Sequence, residues 1–230
     1  MPTMTEIYQS HSFEYDELVS HEDYQGNIRI FLNSTYNFNN KTVLEFGTGT
    51  GRLTELYLNK IKMAYCYDRS QHMLDRASSK FKEKQNKISF SVCDNLEIHN
   101  LNRKADAVIE GWSFGHTVVE NDNQFEKTVK YLVSSCKEKM NVDGIILFME
   151  TLGTNTEIPE APTQSLGDFY HLLENKYGFK KSILETDYRF ETNESAERVM
   201  GYFFGDSFRK NMNFIGDGII KEFTGVWSFR

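Results

Sequence analysis

A chain of 230 residues with 39% hydrophobic and 26% charged side chains is long enough to bury a substantial core and too apolar to be disordered. Its formal net charge of −7 argues against a continuous nucleic-acid groove, and the one lysine cluster, Lys80, Lys82, Lys84 and Lys87, is interleaved with Glu83 and reads as a solvated helix face. Cys66, Cys93 and Cys136 are odd in number, far apart and without a CxxC pair, which argues against a disulfide framework or a zinc site and fits a reducing compartment.

The first sixteen residues are polar and no run of about 18 apolar residues follows, so a cytoplasmic protein with no membrane partner is expected. Residues 13–36 place Leu18, Val19, Ile28, Phe31 and Leu32 at the spacing of one or two helices, which the asparagine-rich stretch 33–41 ends. Residues 42–46 read as a short buried strand. Leu53, Leu56, Tyr57 and Ile61 follow at helical spacing, and residues 63–67 form a second strand with Asp68 at its carboxyl end. A helix is expected over 71–84, a strand over 88–92 closed by Asp94, and a strand over 105–110 ending at Gly111. Residues 125–139 are an amphipathic helix with Val129, Leu132, Val133 and Cys136 inward, and residues 144–150 are a nearly continuous apolar strand. Such runs, buried on both faces, belong to a parallel sheet covered by helices. The alternation predicts an α/β fold: a doubly wound, mostly parallel, Rossmann-like sheet with helices on both faces. The tail reads as helix 169–176, strand 182–190, helix 195–211 and strand 224–229, which would bring the sheet to seven strands. The polar stretch 151–167, with Pro159 and Pro162, has the length of a functional lid or of a plain surface excursion.

The run Val43 to Thr54 carries the most chemistry. Gly47, Gly49 and Gly51 are spaced G-x-G-x-G, whereas a pyrophosphate fingerprint is spaced G-x-G-x-x-G and a P-loop ends in Gly-Lys-Ser/Thr. What remains is a loop that lets a ligand approach the backbone without requiring a phosphate. Asp68, after the next strand, offers two acceptor oxygens to a vicinal diol. Met73, one helical turn on, either packs its thioether against a sugar or base or is an ordinary core methionine. Asp94 can accept from an adenine amino group, with backbone groups of Asn95 or Leu96 against the ring, or can cap a turn. Glu45 is a carboxylate at a buried strand end and needs a partner, which a ligand ammonium held through water or backbone would supply.

Together, the glycine run, Asp68 within Tyr67-Asp68-Arg69-Ser70, Asp94, and the strand ending at Gly111 resemble the class I S-adenosylmethionine-dependent methyltransferases over residues 42–150. The resemblance implies S-adenosylmethionine as cofactor, with Gly47, Gly49 and Gly51 along its methionine part, Asp68 on the ribose, and Asp94 with Leu96 on the adenine. Thr48 in the loop, Arg69 beside Asp68, Asn95 and Gly111 join the cofactor set, as does Tyr24 from the amino-terminal helices that cap the cofactor in such enzymes. The chain then divides into a helical cap (1–41), a cofactor-binding core (42–150) and a lid with the final strands (151–230) of a single domain.

The acceptor is less legible. An Asn/Asp-Pro-Pro-Tyr/Phe motif would follow the fourth strand in many nitrogen-directed nucleic-acid or protein methyltransferases; here Gly111-Trp112-Ser113-Phe114 stands instead. Trp112 and Phe114 either wall an acceptor or belong to the core, and His116 is the candidate general base or a structural histidine. The aromatic tail, with Arg189 for an anionic group, either lines the acceptor pocket or packs the core. This pattern resembles a poorly characterised bacterial branch of small-molecule methyltransferases. A small-molecule acceptor is expected; a tRNA or protein methyltransferase of the same fold, or a non-catalytic S-adenosylmethionine-binding module, is the alternative.

Overall fold

The computed structural model describes residues 4–230. Among the described residues ten strands occur: β1 (Thr42–Phe46), β2 (Met63–Asp68), β3 (Ile88–Val92), β4 (Ala105–Gly111), β5 (Met140–Thr154), β6 (Lys180–Glu185), β7 (Tyr188–Arg189), β8 (Phe214–Gly216), β9 (Ile219–Ile220) and β10 (Glu222–Phe229). Seven form one sheet in the order β3-β2-β1-β4-β5-β10-β6. β1 to β5 pair in parallel, and β10 runs antiparallel between β5 and β6. Strand order reverses between β1 and β4, and the crevice outside the carboxyl ends of the strands at such a reversal is where open α/β sheets bind ligands.

The helices are α1 (Met4–Ser10), α2 (Ser12–Ser20), α3 (Asn27–Thr35), α4 (Arg52–Tyr57), α5 (Gln71–Lys80), α6 (Phe114–Glu120), α7 (Phe125–Lys139), α8 (Gln164–Asn175) and α9 (Asn193–Lys210). Period-two alternation along the strands sends side chains to both sheet faces. Leu44, Phe46, Val108, Ile146 and Phe148 pack against α7 and α8 on one face. Val43, Ala64, Ala107, Ile145 and Leu147 pack against α3 and α4 on the other. A third cluster joins the two ends of the chain: Ile7 and Leu18 pack with Tyr188, Val199, Met200 and Phe203. That junction seats α1 and α2 beside the carboxyl ends of the central strands.

Several boundaries differ from the sequence reading. The helix expected over 71–84 ends at Lys80, because Phe81 leaves helical geometry (φ −103°, ψ 24°) to bury its ring beneath Gly51. β5 runs well past its apolar centre, since Met140 pairs with Ala105 at one end and Thr154 with Glu222 at the other. The stretch expected as a loop over 151–167 therefore shrinks to residues 155–163, and none of these lines the central cleft. The strand expected over 182–190 breaks at Thr186 and Asp187, where the Asp187 carboxylate accepts the Glu222 backbone N–H (3.0 Å). Its second half forms β7 of a separate three-stranded sheet, β7-β9-β8. Among the described residues no helix is long and apolar enough to cross a membrane.

Candidate active site

A cleft opens at the reversal between β1 and β4. Its floor is the turn after β1. Gly47 and Gly49 have φ of +67° and +54°, the left-handed region that glycine enters without penalty. A Cβ on Gly47 would lie 2.3 Å from both Cβ and Oγ of Ser113, so the loop and the turn after β4 touch there. Asp68 pins the loop: its Oδ2 accepts the Gly49 N–H and its Oδ1 the Ser70 N–H, both at 2.8 Å. Burial pushes the Asp68 carboxyl up, and these backbone donors pull it back toward the ionised form.

The far wall comes from β3 and α6. Asp94 caps a 3₁₀ turn (Asn95–Asn100) by accepting the Leu96 N–H through Oδ1 (2.8 Å), as the turn-cap reading allows. Its Oδ2 takes no hydrogen bond among the described residues, and Leu96 is 37% exposed beside it. Asn95 Nδ2 donates to Ser113 Oγ and Thr117 Oγ1, which ties this wall to α6. Arg69 forms a two-pronged ion pair with Glu120 (2.7 and 2.9 Å) across the cleft mouth; both side chains are well exposed, so the pair contributes at most about 1 kcal/mol.

The third side is aromatic. Tyr8 of α1 and Tyr15 of α2 meet edge to face at 5.7 Å, with Tyr15 within 4 Å of a Cβ placed on Gly49. Ser70 Oγ donates to the Tyr8 carbonyl (2.6 Å), Thr50 Oγ1 donates to Asp16 (2.9 Å), and Arg76 pairs with Asp16, so both helices are anchored to the core. Trp112 follows β4 with a φ of +53°, a strained position for a bulky residue. Its N–H donates to the Met149 carbonyl (2.7 Å), and the Arg52 guanidinium covers its ring at 4.0 Å. Arg52 is itself held by both oxygens of Glu22. His116 Nε2 lies 3.4 Å from the Tyr8 hydroxyl. The imidazole opens onto the cleft, yet enough protein surrounds it to push its pKa down, which keeps the ring neutral at pH 7.

Of the residues singled out from sequence, Gly47, Gly49, Asp68, Arg69, Asp94, Asn95, Leu96, Gly111 and His116 all line this cleft. Five others do not. Glu45 is 1% exposed on the opposite sheet face, where the Thr54 hydroxyl (2.8 Å) and the Tyr57 hydroxyl donate to its Oε2. Its Oε2 is thus partnered by two hydroxyls of the chain. Thr48 is buried, with its N–H on the Tyr67 carbonyl, and Gly51 starts α4 above Phe81. Met73 is a core residue at 1% exposure. Tyr24 is turned outward because Asp23 caps the start of α3 through Asn27 and Ile28; it lies beside Gln25 and Arg189. Phe114 packs between Phe46 and Phe148, and Arg189 is likewise outside the cleft lining. Tyr8, Tyr15, Ser113, Thr117, Glu120 and Asn121 line it without having been singled out. Tyr8 and Tyr15 sit on separate helices, α1 and α2, so no single helical period marks them in the sequence.

Glu45 carries a consequence for stability. Burial pushes its carboxyl up to about 7 against the Tyr57 and Thr54 hydrogen bonds, while the unfolded chain titrates near 4.5. Folding thus takes up a proton between those values, and this contribution to stability is lost as pH rises through that window. Glu45→Gln is expected to gain stability relative to the parent between pH 5 and pH 8 in urea denaturation. An equal difference at both pH values would contradict the assignment.

The donor set fits a nucleoside cofactor with an amino-acid tail: a carboxylate beside a glycine loop, a second carboxylate with an open oxygen next to an exposed leucine, and no phosphate cradle. Comparison with known proteins agrees. The family described as "Methyltransferase domain" matches residues 43–138. An uncharacterized methyltransferase of Anoxybacillus flavithermus is 27% identical over 176 residues, covering 74% of this chain and 76% of the relative. Among solved structures, DhpI in complex with SAM and HEP superimposes with a TM-score of 0.59 at 15% identity, covering 98% of this chain and 95% of that one. A protein from Pyrococcus horikoshii, described provisionally as an RNA methyltransferase, gives 0.55 at 15% identity, covering 90% and 85%. At such identities the structural likeness speaks for the fold.

Proposed function

We propose that the chain acts as a class I S-adenosylmethionine-dependent methyltransferase, as its likeness to methyltransferases supports, and that it methylates a small molecule bound between Trp112, His116, Tyr8 and Tyr15. The observation that carries this reading is the enclosure of the cleft: two anchored tyrosines cover it, and Arg69, the cation in its lining, is already neutralised by Glu120. A polynucleotide would need an open basic track. The DhpI complex with HEP speaks for the same reading, and the Pyrococcus protein for an RNA acceptor.

S-adenosylmethionine, when bound, supplies a methyl group on a sulfonium, so the protein contributes proximity, orientation and exclusion of water. Asp68 would hold the ribose hydroxyls, the Asp94 oxygen the adenine amino group, and Leu96 one face of the ring. Gly47 and Gly49 would leave room for the methionine part. Trp112 would form the acceptor wall, fixed from behind by Arg52. His116, neutral at pH 7, would take a proton from an acceptor that arrives protonated.

His116→Ala is expected to lower kcat about 100-fold with cofactor affinity within about twofold of the parent. The acid limb of kcat/KM should lie below about 6.5, since burial lowers the imidazole pKa. Unchanged kcat would remove His116 from the reaction. The reading as a whole is tested by following S-adenosylhomocysteine formation with small amines, phenols and thiols in parallel with bulk tRNA and protein. Turnover confined to tRNA or protein would overturn it.

A further inference from the structure

Two carboxyl groups lie beneath the turn that carries Trp112 and His116, and the reaction as described uses neither. Glu110, near the end of β4, and Glu150, in neighbouring β5, are 0% and 3% exposed. Glu110 Oε1 accepts from the Ser113 N–H (2.6 Å), the Ser113 hydroxyl (3.1 Å) and the Phe114 N–H (2.9 Å). Glu150 Oε1 accepts from the Gly115 N–H (2.6 Å). Three successive backbone donors, which the start of a helix leaves without intrahelical partners, therefore end on two side chains from two strands. Glu110 Oε2 is buried and receives no hydrogen bond among the described residues. An unpartnered carboxylate oxygen there is costly. A proton on Glu150, donated to Glu110, both satisfies that oxygen and removes the repulsion between two neighbouring carboxylates.

We propose that Glu110 and Glu150 are positioning residues: they share a proton and together clamp the turn over residues 112–116, holding Trp112 and His116 in the cleft wall. The electrostatics agree with the geometry. Burial pushes both carboxyls up, and the charge of Glu110 pushes Glu150 further. The other titratable groups that face the pair are Tyr170 from α8, Cys136 from α7 and Tyr8 from α1; burial pushes all three up, so they stay neutral at physiological pH. Raising the pH strips the shared proton, leaves two adjacent carboxylates and releases the turn. The packing of Gly115 against Glu150 makes the fit tight: a Cβ on Gly115 would lie 2.8 Å from Glu150 Oε2.

The functional part of this inference rests on the cleft being the cofactor site, and the test separates the two. The chain has two tryptophans, Trp112 and Trp227. In a Trp227→Phe background, Trp112 emission reports the turn without any ligand. We expect Glu150→Leu to shift that emission and to weaken S-adenosylhomocysteine binding by about tenfold or more at pH 7. Glu150→Gln, whose amide both accepts from Gly115 and donates to Glu110, should keep emission and affinity within about twofold of the parent. With rising pH the parent should lose affinity and shift its emission while Glu150→Gln does neither. The proposal is overturned if Glu150→Leu changes nothing, if Glu150→Gln fails as Glu150→Leu does, or if the parent and Glu150→Gln share one pH profile. Thermal melting reports whether the leucine variant folds; if it does not, the pH comparison between the parent and Glu150→Gln decides. A protein that binds no S-adenosylhomocysteine, yet shows the expected emission pattern, overturns the cofactor reading and supports the clamp.

Discussion

Asp68→Ala is expected to weaken S-adenosylmethionine binding about 100-fold or more. The carboxylate has two tasks in this account. It would accept from the ribose hydroxyls, and hydrogen bonds to a charged group are worth about 1.5–3 kcal/mol each. It also holds the glycine loop to the start of α5 through the Gly49 and Ser70 N–H groups. Removing it leaves both donors unpaired at the cleft floor and loosens the loop that a ligand must approach. About 2.7 kcal/mol corresponds to 100-fold in affinity, and one lost ribose contact plus the loop release reaches that figure. Asp68→Asn separates the tasks: its carbonyl oxygen still accepts one backbone N–H, but it presents an NH2 group where the other acceptor stood. It should bind more tightly than Asp68→Ala and more weakly than the parent. Calorimetric affinity of Asp68→Ala within threefold of the parent would contradict the ribose assignment.

Gly47→Ala is expected to cost about 3 kcal/mol of stability and to abolish measurable cofactor binding. A φ of +67° penalises an L side chain by about 1–2 kcal/mol before any contact is considered. The new methyl would then overlap Ser113 Cβ and Oγ at 2.3 Å and approach the Gly111 carbonyl at 3.2 Å. Ser113 has little freedom to yield, since its N–H and hydroxyl are both engaged by Glu110. The strain must therefore spread into the loop or the turn after β4, and both border the cleft. For a chain of this size the loss corresponds to a fall in Tm of roughly 6–12 °C. A Gly47→Ala protein that melts within 2 °C of the parent and binds cofactor normally would show that the loop has slack the geometry denies it.

How much of this was legible in the sequence varied with the physics of each segment. Residues 42–46 and 88–92 coincide with β1 and β3: the first is a short apolar run between turn residues, buried at the sheet centre, and the second alternates apolar residues with serine along the sheet edge. Residues 125–139 coincide with α7, whose Val129, Leu132, Val133 and Cys136 mark one face unambiguously. The acids after β2 and β3 fall at the cleft because chain order in a doubly wound sheet brings successive carboxyl ends to one edge. The short helix α6 escaped notice: seven residues carry too little periodicity, and its start is held by Glu110 and by Glu150, 35 residues beyond Gly115. The sequence points to Tyr24 for the cap, whereas Tyr8 and Tyr15 line the cleft, since long-range packing of Ile7 and Leu18 on α9 decides where the amino-terminal helices sit. Glu45 drew a ligand partner in the sequence reading because its hydroxyl donors, Thr54 and Tyr57, come from the next helix. Their three-residue spacing puts both on one helical face, aimed at the same carboxylate.

The most direct test of the central claim is a crystal structure with S-adenosylhomocysteine bound. The account predicts the ribose hydroxyls within hydrogen-bonding distance of Asp68, the adenine between Asp94 and Leu96, and the sulfur facing the space between Trp112, His116 and the two tyrosines. A ligand seated outside the cleft between β1 and β4, or a sulfur turned away from Trp112 and His116, would contradict it.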